Sequence, residues 1–549
     1  MIYWILNVVL LIITFVLIKF CLNGKKVSIK YDFNLFIEKY YKFLIIIIFL
    51  LMLFTSLYKL DSVPYGLHVD EAGMAYDAIS MVKYGVDRYL NRFPVYLINY
   101  GGGQSAMYMY IASIIIKIFG YSVFAIRMPA VILRVLAFIS GYFIVKNNTD
   151  KKKTLVFLLL LAISPYFIMQ SRWGLDCNLL LGFLTISICL LIQAINKNNN
   201  IILFLSGICF GLTLYTYALS YLIIPLLLIF TVGYLLYVKK INFKKLVIFG
   251  LPIFLFAIPL MLMILINNGY INEISNIITI PKLPNYRGTE ISIMNVFKSI
   301  YIIISIFSFD NLLNLGGNLI YNSIPYFGTI YYIGVPFTII GIINGIKQSV
   351  QAIKNKEFNL NCIILFWLVS VLICMLLITN PNINKANAIF FPLVYFTMMG
   401  IFVIIKKQEQ FLIFILLLFI VNFTLFTNYY YNHYNRDYNR QRFFATSYLE
   451  AINYSRTLSS STVFVEPKLT EQEHIYVLLT NFVSPYDYKS NEIINIKHDD
   501  KDITYNFSIP EEIDEYSIYI VKEDSEYAKI LNNYNMNQKK FDNIVVYSK

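Results

Sequence analysis

The sequence predicts a polytopic, all-α membrane protein of about twelve transmembrane helices, with a large first external loop and a small external α/β domain at its C-terminal end. Three observations carry this reading. Of 549 residues, 58% are hydrophobic and only 14% charged, whereas soluble domains run near about 45–50% and about 25%. The excess is gathered into Ile, Leu, Phe and Tyr runs, most of them near the roughly 17–25 residues that cross a bilayer core. Finally, the lysines fall in alternate connections between those runs. Together these exclude a cytosolic enzyme. They also turn the formal charge of +13 from a nucleic-acid signal into an orientation signal, so the expected surroundings are membrane lipids, with no nucleic acid.

Taken in order, helices are expected near 2–20, 43–58, 122–145, 154–170, 178–195, 201–219, 221–238, 246–267, 328–346, 361–379, 387–405 and 411–427. The first has no basic stretch before it and no small-residue cleavage site after it, so it is expected to be retained. With the loop to residue 42 it forms an N-terminal extension, 1–42, ahead of the membrane domain 43–427. The connections 21–42, 146–153, 196–200, 239–245, 347–360 and 406–410 hold nineteen lysines against five acids. By the positive-inside rule they face the cytoplasm of a multi-pass protein in the cell membrane. Segment 106–119, about 14 residues, is too short to cross. If it did cross, every later lysine loop would invert, so it is read as an interfacial helix with Lys117 snorkelling, and 291–308 is read likewise.

This topology leaves three external pieces: the loop 59–121, the loop 268–327 and the tail 428–549. The tail has 18 acidic against 13 basic residues and short alternating runs at 462–466, 517–521 and 543–547, with turn-forming residues between them. Six cysteines, at 21, 177, 189, 209, 362 and 374, all lie in or beside apolar segments, so no disulfide framework is expected. No repeat or pair of matched halves is visible, which counts against a carrier.

The first loop is the most informative. It opens P-Y-G-L-H-V-D-E-A-G at Pro64, and Ala75, Ile79 and Val82 then share one helical face with Gly85 as its stop. Asp70 and Glu71 therefore sit at a helix start. One reading is structural, with Asp70 as N-cap and Glu71 favoured by the helix dipole. The other is a catalytic carboxylate where membrane meets water. His68, two residues earlier, makes a divalent ion on Asp70, Glu71 and His68 the alternative for that cluster, although no zinc-type spacing is present and no metal or other cofactor is expected.

The string H-V-D-E-A, then F-P-V-Y-L-I-N-Y-G-G-G-Q-S-A-M-Y-M-Y, then F-G-Y-S-V-F-A-I-R-M-P-A-V-I resembles the first external loop and second core helix of bacterial glycosyltransferase family 39. These are relatives of the protein O-mannosyltransferases and aminoarabinose transferases, with the GT-C fold. S-P-Y-F-I-M-Q-S-R-W-G-L-D at 164–176 and N-K-A-N-A-I-F-F-P at 384–392 extend the resemblance over roughly 45–425. Two departures stand out. Gly101, Gly102, Gly103 and Gln104 replace the Lys-Pro-Pro that members often carry, and the helix 2–20 precedes the usual first helix.

The resemblance implies an inverting transfer of one sugar from a polyprenyl-phosphate donor to an acceptor hydroxyl of a protein, lipid or cell-envelope polymer. Asp70 is expected as base and Glu71 as its orienting partner. Cations near the external ends of helices need a partner or a ligand, and Arg172 and Lys385, with Arg127, are the expected receptors of the donor phosphate. Asp176, His68 and Gln104 are expected in support. In the structural alternative Arg127 pairs with an acid of the first loop and Arg172 with Asp176, while Arg134 is structural. Rival classes are a transporter or flippase of lipid-linked glycans, and a polymerase or ligase acting on them.

Overall fold

A computed structural model of the chain describes residues 2–23, 33–286, 291–307, 319–497 and 501–549. Parts of the loops expected at 21–42 and 268–327, and the end of the interfacial segment 291–308, lie outside the described residues. Among the described residues, ten helices are long and apolar enough to cross a membrane, including Ile2–Leu22, Val123–Lys146, Asn387–Lys407 and Glu409–Asn432. These ten match ten of the twelve expected. The other two are shorter. Residues 154–170 divide at Ser164 into Lys151–Ile163 and Pro165–Gln170, because Pro165 has no amide hydrogen to continue the ladder, and 201–219 is helical only over Asn200–Thr213.

Asparagine and aspartate start many of these helices. Asp150, Asn199, Asn242 and Asn359 each accept a backbone N–H of the first turn, satisfying a donor that would otherwise lack a partner. All four lie in lysine-bearing connections. Several of those connections converge on a cavity of about 1190 Å3 lined by Glu38, Lys151, Lys152, Asn361 and Lys406. The opposite ends of the same helices carry Arg127, Arg172 and Asn387. The helix Ile2–Leu22 packs on the last membrane helix through Tyr3 against Tyr429, and Asn428 donates to the Tyr3 hydroxyl.

Between the second and third long helices stand Val69–Tyr84 and Met107–Phe119. The latter is the short helix expected at 106–119. The tail forms a six-stranded mixed sheet, in the order Ile493–Lys497, Asp502–Asn506, Thr462–Val465, Ile518–Lys522, Ile544–Ser548, Asn537–Phe541. The three runs read from the sequence are the three adjacent central strands. The others carry Lys, Asn and Asp on their exposed positions, as edge and near-edge strands do. Tail and first loop share one apolar core, in which Val69, Tyr76 and Ile79 lie with Tyr448, Ile475 and Leu479. The Tyr76 hydroxyl donates to the Val483 carbonyl at 2.8 Å and that of Tyr476 to Leu67 at 3.2 Å.

Candidate active site

The helix Val69–Tyr84 is capped by His68, not by Asp70. His68 Nδ1 accepts the Asp70 amide and Glu71 accepts the His68 amide, a reciprocal capping box. With the cap supplied, the Asp70 carboxylate is left to face outward, its side chain 30% exposed. The imidazole is edge-on to Trp173, ring centres 5.1 Å apart. Its Nδ1 lies 3.6 Å from Asp70 Oδ2.

Glu71 points the other way and is fully buried. Arg127 Nε and Nη2 donate to it at 2.8 and 3.1 Å, and the Gly174 amide adds a third bond at 2.7 Å. The remaining Arg127 donors reach the carbonyls of Leu60, Pro64 and Gly66. The ion pair proposed above as the structural alternative is therefore formed, and every Arg127 nitrogen is engaged within the protein. It also follows that Asp70, Glu71 and His68 do not converge on a common point where a metal ion would sit. Among the described residues no group of three or more His, Cys, Asp or Glu side chains does so.

Arg172 is corrected in the same way. Its guanidinium is completely buried and donates to the carbonyls of Thr55, Ser56, Tyr58, Lys59 and Val63 at 2.7–3.2 Å. Most of these belong to the last turn of Phe33–Leu57 and the turn after it. A helix end leaves carbonyls without partners and carries partial negative charge, and Arg172 supplies both donors and charge. It does not pair with Asp176, whose carboxylate accepts the amides of Ser105 and Cys177 at 3.2 and 2.7 Å. Arg134 is structural as expected, bonded to Ser56, Ser171 and the Ala162 carbonyl.

In front of Asp70 lies a chamber of about 360 Å3, lined by Asp70, Asn99, Gln104, Asp176, Asn384 and Lys385 among others. Among the described residues, Lys385 is the single cation that lines it. The Lys385 ammonium donates to the Thr379 carbonyl at 2.9 Å. Gln104, expected in support, has its Oε1 buried with no partner among the described residues. Thus Asp70, Asp176, Gln104 and Lys385 meet in one chamber. Glu71, Arg127 and Arg172 do not line it.

The glycine-rich stretch forms this wall. Tyr96–Asn99 and Gly102–Ser105 pair as a hairpin, and its turn residues Tyr100 and Gly101 have φ of 49° and 82°. Two positive φ values match the right-handed twist of the strands. The hairpin delivers two residues that sequence reasoning missed. Asn99 Nδ2 donates to Asp70 Oδ1 at 2.9 Å, and the Tyr100 hydroxyl donates to the Val69 carbonyl at 2.8 Å. Gly73 allows this approach, since a Cβ there would lie 2.6 Å from Arg88 Nη2 and 2.9 Å from the Tyr100 hydroxyl. Arg88 is itself locked to Asp77 by a buried bidentate pair, 2.7–3.1 Å. The sequence signal for the turn was the glycine run that follows Tyr100, which supplies Gly101 at a positive φ.

With this geometry in hand, the comparisons are informative. The profile of the dolichyl-phosphate-mannose-protein mannosyltransferase family matches residues 104–264, a span holding Gln104, Arg127, Arg172 and Asp176. ArnT from Cupriavidus metallidurans bound to undecaprenyl phosphate superimposes over 92% of this chain and 97% of its own, with a TM-score of 0.53 and 10% identity, and its apo form does so equally. The oligosaccharyltransferase AglB from Archaeoglobus fulgidus covers 82% of this chain and 64% of its own at a TM-score of 0.43 and 13% identity, too loose a likeness to argue from. A search of curated proteins gave no match. The chain thus shares the fold of ArnT over most of both lengths, and its residues 104–264 are similar to the mannosyltransferase family profile.

Proposed function

We propose that this protein is a membrane glycosyltransferase that moves one sugar from a polyprenyl-phosphate donor to an acceptor hydroxyl on the outer face of the cell membrane, with inversion. The single observation that carries this reading is the part-exposed Asp70 carboxylate, held by the Asn99 amide, in one chamber with the Lys385 ammonium. Sidedness rests on the lysine-bearing connections, which converge at the other ends of the helices. The fold shared with ArnT, solved with undecaprenyl phosphate, supports the donor class.

In the step itself the acceptor oxygen attacks the anomeric carbon from the side opposite the phosphate, while the bond from that carbon to the phosphate oxygen breaks. The electron pair leaves on the phosphate. Asp70 takes the acceptor proton as the oxocarbenium-like state develops. Phosphate is an adequate leaving group without protonation, and Lys385 is placed to stabilise the charge it gains. Glu71 acts through structure: with Arg127 it fixes the helix start that aims Asp70. In a purified-protein assay with a polyprenyl-phosphate sugar, Asp70→Asn lowers turnover by about 10²–10⁴-fold and leaves donor affinity largely intact. Near-normal turnover removes Asp70 from the mechanism, and donor crossing liposomes without sugar transfer favours a flippase.

A further inference from the structure

A second cavity, of about 650 Å3, opens on the other side of Asp70. Asp70 and Tyr100 line both chambers. Its far wall belongs to the tail domain and includes Lys468, Glu471, Glu473, His474 and Asn491. We infer that this chamber is the acceptor subsite, and that it takes a neutral, polyhydroxylated acceptor, a glycan, which reaches Asp70 from the tail side while the donor occupies the membrane side.

The inference rests on the functional reading above and deepens it. A general base must face both reactants within hydrogen-bond reach, and among the described residues Asp70 is the one carboxylate that lines both chambers. The wall is held in a fixed relation to that carboxylate. The helix Glu473–Thr480 packs on the helix that bears Asp70, and Tyr448 donates to the Glu473 carbonyl. The loop before it places Lys468 and Gln472 at φ of 68° and 56°, left-handed conformations that are costly for residues with side chains and cluster at ligand-binding sites. Glu473 accepts the Thr470 amide at 3.3 Å and braces the same loop.

The chemistry of the lining selects the ligand class. Planar carboxylates and amides beside an aromatic ring suit sugar hydroxyls and the apolar face of a pyranose. Glu471, Glu473 and Asp70 oppose a single lysine, so the field disfavours a phosphorylated acceptor. Lys468, Glu471 and Asn491 are exposed, so they meet incoming ligand and their replacement leaves the fold intact.

Binding is read without chemistry, by saturation-transfer NMR on the full-length protein in nanodiscs. The probes are neutral gluco-, manno- and N-acetylglucosamine tetrasaccharides, a phosphorylated tetrasaccharide and a Ser/Thr-rich peptide. At least one neutral tetrasaccharide binds wild type and Asp70→Asn alike, and Asn491→Trp, which fills the chamber, and Glu471→Lys weaken it at least tenfold. Equal binding by these variants, no neutral glycan bound, or preference for the peptide or the phosphorylated probe overturns the inference. Failure of the catalytic reading appears elsewhere, as undiminished turnover in Asp70→Asn.

Discussion

The two faces of the helix start at Val69 handle charge in opposite ways. Behind it, Glu71, Arg127 and Arg172 are buried, and the three Arg127 nitrogens, the three Arg172 nitrogens and both Glu71 oxygens all have partners. In front, Asp70 is part-exposed and Gln104 Oε1 has no partner among the described residues. Adjacent carboxylates in the sequence thus have different work. The back face is a clamp that joins helix ends and loops, and its satisfied valences leave nothing for a ligand. Reactivity belongs where satisfaction is incomplete.

Replacing charges on the two faces sharpens this contrast. The largest effect is expected from Arg172→Ala, which removes a donor from five carbonyls around the end of Phe33–Leu57, of which that of Thr55 keeps the Tyr431 hydroxyl and that of Lys59 the Val63 amide. Each buried acceptor left unpaired costs about 1–3 kcal/mol, so the variant fails to accumulate as a monodisperse protein in detergent. Good yield with selective loss of donor binding would return Arg172 to the phosphate site. On the front face, Lys385→Ala retains the wild-type melting temperature and lowers transfer by about 10²-fold, the scale of losing one donor to a developing charge. A stability loss equal to that of Arg172→Ala would make Lys385 part of the clamp.

The order of the long apolar helices, the short helix at 106–119 and the three central strands of the tail were legible, because hydropathy, segment length and period-2 alternation are local patterns; the start of the second helix at Phe33 and the break at Ser164 were not. Asp70 and Lys385 were visible in the sequence as charged residues beside apolar segments, and both line one chamber. Arg172 was misread because the carbonyls it binds lie over a hundred residues earlier, and no local spacing reveals that a helix ends beside it. His68 displaced Asp70 as cap because its own side chain accepts the first-turn amide, a role that sequence preference assigns to Ser, Thr, Asp or Asn. The tail wall at Lys468–His474 was hidden for the same reason as Arg172: its relation to Asp70 arises from packing across some four hundred residues.

A smaller effect distinguishes the tail wall from the clamp by pH. Burial, with a contribution from Arg88, pushes His474 from its ordinary 6.5 down to about 4. The unfolded chain therefore binds a proton that the folded chain refuses, and the stability of the neutral fold is full above about pH 6.5 and lost as pH falls toward 4. About 1.4 kcal/mol per pH unit is the upper slope. His474→Gln flattens this part of the melting-temperature profile between pH 7 and 5. An unchanged profile would assign the acid sensitivity to other groups.

The most direct measurement is a cryo-EM structure of the full chain with undecaprenyl phosphate. The phosphate is expected in the chamber beside Asp70, with an oxygen about 3 Å from Lys385 Nζ and the guanidiniums of Arg127 and Arg172 still bound to their carbonyls. A phosphate held by either arginine, or lying outside the chamber that Asp70 faces, would contradict the division between clamp and active site.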